Sequence, residues 1–430
     1  MNIKRLVIRT NTALLGLLLV LLLLLSTSVT NLSVAHAAGP WYVTPGGNDS
    51  NSCLSAGSPC ATINGAISKA SGGDTINVAI GIYTGTGDEV VLIGKDITLS
   101  GGWDSSFTTQ SGTSTIDGED SHRGIYVKYG VAATVDFFTV QNGHTDIGHG
   151  GGIYNIGTLT LNNSTVSYNT AIELGGGIFA GNDSLTVIMD SRIYANHSLD
   201  QGGGIASHYN SQLSMSRSWV VGNAVPNNDG GGISVDGSAY IENSIIAGNT
   251  AGGSSGGGLW LNGGGLYNIV NSHIVGNETS GEGGAIAAVG TAQVEVTNTL
   301  IISNTGNTGI TDRDDSGSVF LLNYCDTYGN SPDGTEDGVT ITRTNCLGTP
   351  AEDGLDPLMA GGTLPSGVGP AYADQWLSYD YRLQAGSPAI DAGTPTDAPA
   401  TDIDGTPRDT KPDIGAYEFV NRIYLPVVTR

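Results

Sequence analysis

His149 stands between two glycines, Gly148-His149-Gly150, where an imidazole on a tight turn could move protons for a substrate. Hydrolysis of a glycosidic bond with inversion needs two spaced carboxyl groups, one to activate water and one to protonate the leaving oxygen. The adjacent pair Asp314-Asp315 lies far downstream of His149, so no carboxyl pair accompanies it in sequence and His149 reads as a turn histidine. Elimination would want a basic residue beside an acidic, calcium-holding cluster. Arg192 and Arg217 are the main basic candidates, and both fall in slots that alternate away from the core, as solvated arginines do. Asp402-Ile403-Asp404-Gly405 and Asp333 to Gly338 could offer oxygens to calcium, with Asp402 and Asp404 as the ligands. Asp-Gly is also a turn signal and the full twelve-residue loop is absent, so turns are favoured and no cofactor is expected beyond that possible calcium.

A second constellation is suited to binding. Glycine triplets, each with an apolar residue after it, are followed by Tyr154, Phe179, Ala206, Ser234, Trp260 and, after a degenerate copy, Ile286. If the apolar residue points inward, the next one points outward. Just before the triplets stand His149, Glu173, Asp200 and Asp229. Flat rings at Tyr154, Phe179 and Trp260 beside a mostly acidic row suit a sugar, whose apolar ring faces stack while its hydroxyls hydrogen-bond.

The elements that position these residues are six copies of one unit between Gly150 and Asn304. Each opens on Gly-Gly-Gly-Ile or a variant and closes on asparagine, at Asn169, Asn196, Asn223, Asn249, Asn277 and Asn304, with Asn142 one step before and Asn330 one step after. The steps are 27, 27, 27, 26, 28, 27 and 26 residues, a fixed period that signals a solenoid. Short runs such as Thr158 to Leu161 and Leu185 to Met189 read as strands. An aliphatic residue three before each asparagine (Val166, Ile193, Val220, Ile246, Ile274, Ile301) and a hydroxyl residue five before (Ser164, Ser191, Ser218, Ser244, Ser272, Thr299) share one strand face. The asparagine is expected at the corner, in the left-handed conformation it tolerates. The fold class is therefore all-β, a single-stranded right-handed parallel β-helix with a short N-terminal capping helix at Ala61 to Ala70, about eleven coils reaching from Asp74 to the 380s.

The order along the chain is 1–37 signal peptide, 38–118 cap and first coils, 119–349 repeats, 350–420 last coils, 421–430 tail. Lys4, Arg5 and Arg9, the apolar run Ala13 to Leu25 and Ala35-His36-Ala37 read as an export leader cleaved after Ala37. Losing its three cations takes the formal charge from −24 to −27, which makes nucleic acid and anionic membranes poor partners. No membrane span remains after cleavage. Four cysteines in an exported chain favour disulfides. Cys53 and Cys60 close a small loop; Cys325 fills the serine slot of its coil and is expected to pair with Cys346.

The entry region resembles the N-terminal cap and first coils of secreted pectate-lyase-like β-helix proteins. The Gly-Gly-aliphatic and aliphatic-x-x-Asn alternation, as in Ile246-Ala247-Gly248-Asn249, resembles the repeats of polymorphic outer-membrane proteins. Ser387 to Gly393, Asp402 to Gly405 and Asp413 to Glu418 look like the choice-of-anchor region of secreted bacterial β-helix proteins, though no sortase signal follows. Gly148-His149-Gly150 matches one short motif of polygalacturonase-type glycosidases. The export leader, the long regular surface and the incomplete catalytic set suggest a secreted or cell-surface protein that binds a polysaccharide, a cell-surface glycan or another surface without catalysis, the alternative being a lyase or glycosidase acting on acidic polysaccharide.

Overall fold

The computed structural model describes residues 40–420 apart from Ile147, Ser254, Asp315, Ser316, 331–339 and 349–353. The leader, the tail and the Asp333 to Gly338 loop lie outside the described residues. What is described is a parallel β-solenoid of short strands, in four sheets of twelve, nine, nine and six strands. Every strand pair in these sheets is parallel, as Leu159↔Thr186 and Val166↔Ile193 illustrate.

The inward register matches the sequence. Val166, Ile193, Val220, Ile246, Ile274 and Ile301 are fully buried, stacked like on like. The hydroxyl column is buried beside them, and each oxygen accepts the backbone N–H of the coil before it, Ser164 N–H to Ser191 Oγ at 3.1 Å through Ser272 N–H to Thr299 Oγ1 at 3.3 Å. The closing asparagines form a second ladder. Asn249 Nδ2 donates to Asn277 Oδ1 and to Val220 O, both at 2.9 Å, and the same pattern runs from Asn169 to Asn330.

Two details of the corner differ from expectation. The left-handed residue is the one before the asparagine: Tyr168, Ala195, Gly222, Gly248, Gly276 and Ser303 have φ between 52° and 63°. The asparagine keeps ordinary φ, so its amide can lie along the stack. Asn142 is not the first rung; Gly143 stands there, its N–H donating to Asn169 Oδ1 at 2.7 Å.

The helix forms at Ile63–Lys69, capped by Thr62 Oγ1 accepting from Gly65 N–H, with Ile63, Ala66 and Ile67 buried. It packs against strands Trp41–Val43, Asp74–Ala79 and Glu89–Ile93.

The coils stop earlier than the sequence suggested. Among the described residues the last strand is Thr340–Thr344, and residues 354–419 are not coils: they fold back along the flank of the solenoid. Trp376, Tyr381, Leu383, Ile414 and Tyr417 cover outward residues Val221, Ile245, Val275, Leu300 and Ile302. The period fades after Asn330 because this segment packs by tertiary fit. Three asparagines of successive coils hold it: Asn243 Nδ2 donates to Thr401 O (2.7 Å), Asn271 Nδ2 to Asp413 O (3.2 Å) and Asn298 Nδ2 to Thr394 O (2.7 Å). Fully buried His273 accepts the Ala416 N–H on Nδ1 at 2.9 Å.

Candidate functional site

The outward row after the glycine triplets lies on one nine-stranded sheet. Strand pairing sets it as Tyr126, Tyr154, Phe179, Ala206, Ser234, Trp260, Ala287 and Thr311. Ile286 does not belong to it. In the degenerate copy Gly283-Gly284-Ala285 replaces the triplet, so Ile286 aligns with Leu259 and is buried, while Ala287 faces out.

Outward does not mean bare. Phe179 and Trp260 are only 4 % and 5 % exposed, which corrects their expected role as open platforms. The His149 ring lies on Phe179, stacked at 4.3 Å and 21°, and His208 also leans on that ring at 5.9 Å and 44°. Over Trp260 lies the Arg313 guanidinium, 5.4 Å from the ring and paired to Asp229 at 3.0 Å. At those two positions the imidazole and the guanidinium, not the rings, form the outer layer.

Partly exposed aromatic surface concentrates around Tyr154. Its ring stacks on Tyr126 at 5.0 Å and 15° and approaches Phe179 at 5.2 Å. Arg123 fixes it from one side: the guanidinium lies 5.0 Å from the Tyr154 ring, while Nε donates to Gly150 O at 3.0 Å and Nη2 to His149 O at 3.1 Å. The side chain thus holds the His149 turn as well as the tyrosine. Arg123 lies outside the glycine-triplet repeats, and its position two before Ile125, which aligns with Ile153, is the signal for it in the sequence.

Two histidine–carboxylate pairs flank Phe179. His149 Nδ1 sits 3.2 Å from Glu173 Oε2 and also accepts the Leu174 N–H at 3.3 Å, so a neutral ring takes the amide and a protonated one takes the carboxylate. Burial holds the His149 pKa below its ordinary value despite the opposing pull of Glu173. His208 Nδ1 lies 2.6 Å from Asn182 Oδ1, which makes that nitrogen the donor and leaves Nε2 facing Asp236 at 3.8 Å. Asp236 accepts from Asn262 Nδ2 at 3.0 Å, and burial raises its pKa.

The remaining acidic residues are spread. Glu173 is exposed, Asp200 accepts from Asn228 Nδ2, and Asp229 is 84 residues from its partner Arg313. Arg217 pairs with Asp190 and Arg192 is exposed, 5.9 Å from the Trp219 ring, so neither joins the site. The calcium candidates are engaged otherwise. Asp402 accepts N–H groups of Asp404, Thr406 and Glu418, and Asp404 pairs with Arg382 at 2.7 Å. Among the described residues no group of three or more His, Cys, Asp or Glu could hold a metal ion.

No family model and no curated protein matches this sequence. Solved structures do. A pectate lyase, Pel9A, aligns at 18 % identity with a TM-score of 0.51, covering 89 % of this chain and 97 % of that one. A GH136 lacto-N-biosidase from Eubacterium ramulus aligns at 10 % identity and TM-score 0.37 over 71 % of this chain and 67 % of that one. A rhamnogalacturonan lyase aligns at 14 % and 0.32 over 76 % and 91 %. At such identities the likeness is one of fold: this chain shares the parallel β-helix fold of the pectate lyase.

Proposed function

We propose that this chain is an exported β-helix that binds an extended, uncharged glycan on the sheet carrying Tyr126 and Tyr154. The observation that carries the reading is the continuous ring surface built by neighbouring coils, Tyr126 on Tyr154 and His149 on Phe179, with 4.3 to 5.2 Å between successive rings. A sugar stacks on such a surface, and Glu173, Asn182 and His208 supply hydrogen-bonding groups around it. The acidity of the site and the net charge disfavour a polyuronate. Retention of the mature protein in gels cast with neutral polysaccharide tests the reading, with Tyr154→Ala as the variant that loses retention; retention unaffected by that change removes this face.

A second reading rests on the two histidine–carboxylate pairs. His208, with Nδ1 donating to Asn182, presents Nε2 as a base, and His149, packed on the same Phe179 ring, returns a proton. A polysaccharide-degrading function of the kind named for the pectate lyase neighbour would use them. Product release from a polysaccharide panel, abolished by His208→Gln, would favour this second reading over the first.

A further inference from the structure

Cys325 and Cys346 stand as thiols in the structure, which departs from the disulfide expected, whereas Cys53 and Cys60 are bonded. Their placement is nonetheless that of partners. Strand Val319–Asn323 pairs with Thr340–Thr344 at a constant offset, Asn323 opposite Thr344, and the ladder continues through Leu347 N–H to Cys325 O at 2.8 Å. That offset puts Cys346 opposite Cys325. The serine column also continues through them: Cys325 N–H donates to Cys346 Sγ at 3.4 Å, as each serine N–H does to the next hydroxyl. Adjacent coils bring equivalent Cα atoms within the range a disulfide spans, ~4.4 to 6.8 Å.

We propose that Cys325 and Cys346 are a reversible dithiol–disulfide couple at the C-terminal end of the solenoid, with Cys346 as the sulfur that attacks an external disulfide. The two thiols differ in access. Cys346 is partly exposed and Cys325 is completely buried. They differ in acidity as well: contact with the Cys325 thiol and N–H lowers the pKa of Cys346, whereas burial raises that of Cys325.

The step balances with a low-molecular-weight disulfide as oxidant. The Cys346 thiolate attacks one of its sulfurs, forming a mixed disulfide and releasing one thiolate. Cys325 then loses its proton and attacks the Cys346 sulfur, forming the internal bond and expelling the second thiolate, so two protein thiols are oxidised and one disulfide is reduced to two thiols. The product staples strand Thr340–Thr344 to the coil before it.

The experiment uses the full mature chain, oxidised glutathione as probe, and Cys325→Ser and Cys346→Ser. Serine is tolerated in this column, since five earlier coils carry it. Wild type should lose both alkylatable thiols and give a 325–346 cross-linked peptide reversed by dithiothreitol. Cys325→Ser should stop at a stable glutathione adduct on Cys346. Cys346→Ser should react slower by at least about tenfold, since its remaining thiol is buried. Adducts forming on both cysteines of wild type without cross-linking, equal rates for the two variants, or thiols that stay alkylatable would each overturn the proposal.

Discussion

The His149 imidazole rests on the Phe179 ring at 4.3 Å, joined face to face although the two residues belong to neighbouring coils. Phe179 is therefore a base plate. It fixes the height and tilt of the imidazole, which meets solvent beside Tyr154, and Arg123 fixes the turn carrying His149 through two carbonyl oxygens.

Replacing Phe179 with alanine removes that plate and opens a buried cavity, at a cost of about 3 kcal/mol. Glycan retention should fall as well, because His149 loses its support. Tyr154→Ala, at a partly exposed ring, should reduce retention with a thermal midpoint within a few degrees of wild type. Affinity electrophoresis paired with thermal unfolding checks both.

The asparagine ladder predicts a large effect from a small change. Asn249 makes four hydrogen bonds in the core: two donated by Nδ2 and two accepted by Oδ1 from Asn223 N–H and Nδ2. Asn249→Ala leaves those partners unpaired and should cost about 3 kcal/mol or more. Ile246→Asp places an unpaired charge at a fully buried position and should cost still more. Urea midpoints of both variants measure the order.

Gly276 should matter through its neighbour rather than its backbone. Its φ of 61° is close to the 54° of Ala195 in the same slot two coils from Gly248, so a methyl group is compatible with the corner itself. A Cβ at Gly276 would run into the Trp376 ring. Gly276→Ala should thus loosen the 354–419 segment while the coils stay folded: hydrogen exchange should quicken in Ala373–Ser378 and not in His273–Val275.

Acid should weaken the docked segment through His273. Burial first, and the Arg408 charge second, push its pKa down to about 3 from 6.5, so the folded state keeps the ring neutral. Its stabilising contribution is complete above the unfolded value and is lost as pH falls from 6.5 toward 3. Asp413 acts in the opposite sense: burial pushes it up to about 6, and its contribution is present below 3.8 and lost as pH rises through 6. Between pH 6 and 4 the two slopes are equal and opposite, so wild type should change little from this pair, and the histidine's share is read from its removal. His273→Asn, which keeps an acceptor for the Ala416 N–H, should gain stability as pH falls over that window, because the Asp413 contribution is then unopposed. Urea midpoints at pH 4, 5 and 6 give the comparison.

Much of the fold was legible because a solenoid repeats its reasons. Six apolar and six hydroxyl positions at one spacing identify an inward strand face without any tertiary information. What repeats less was read less well. The register slipped by one at Asn142 and at Ile286, where a glycine and an alanine replace the consensus residue. The flank segment was read as coils because its contacts are unique pairs, such as Trp376 over Gly248 and Gly276, although glycine at those two corners, where Tyr168, Ala195 and Ser303 occur elsewhere, is a trace of what lies above. Outward rings were identified correctly by alternation, while their coverage by His149 and Arg313 depends on turns whose side-chain directions no periodicity encodes.

Titration of the mature protein with neutral polysaccharides and with polygalacturonate, by calorimetry at low and moderate salt, tests glycan recognition most directly. Expected are saturable binding to a neutral polymer that changes little with salt, at least about tenfold weaker binding to polygalacturonate, and loss of the neutral signal in Tyr154→Ala. Tighter binding to polygalacturonate, or neutral binding undiminished in Tyr154→Ala, would contradict it.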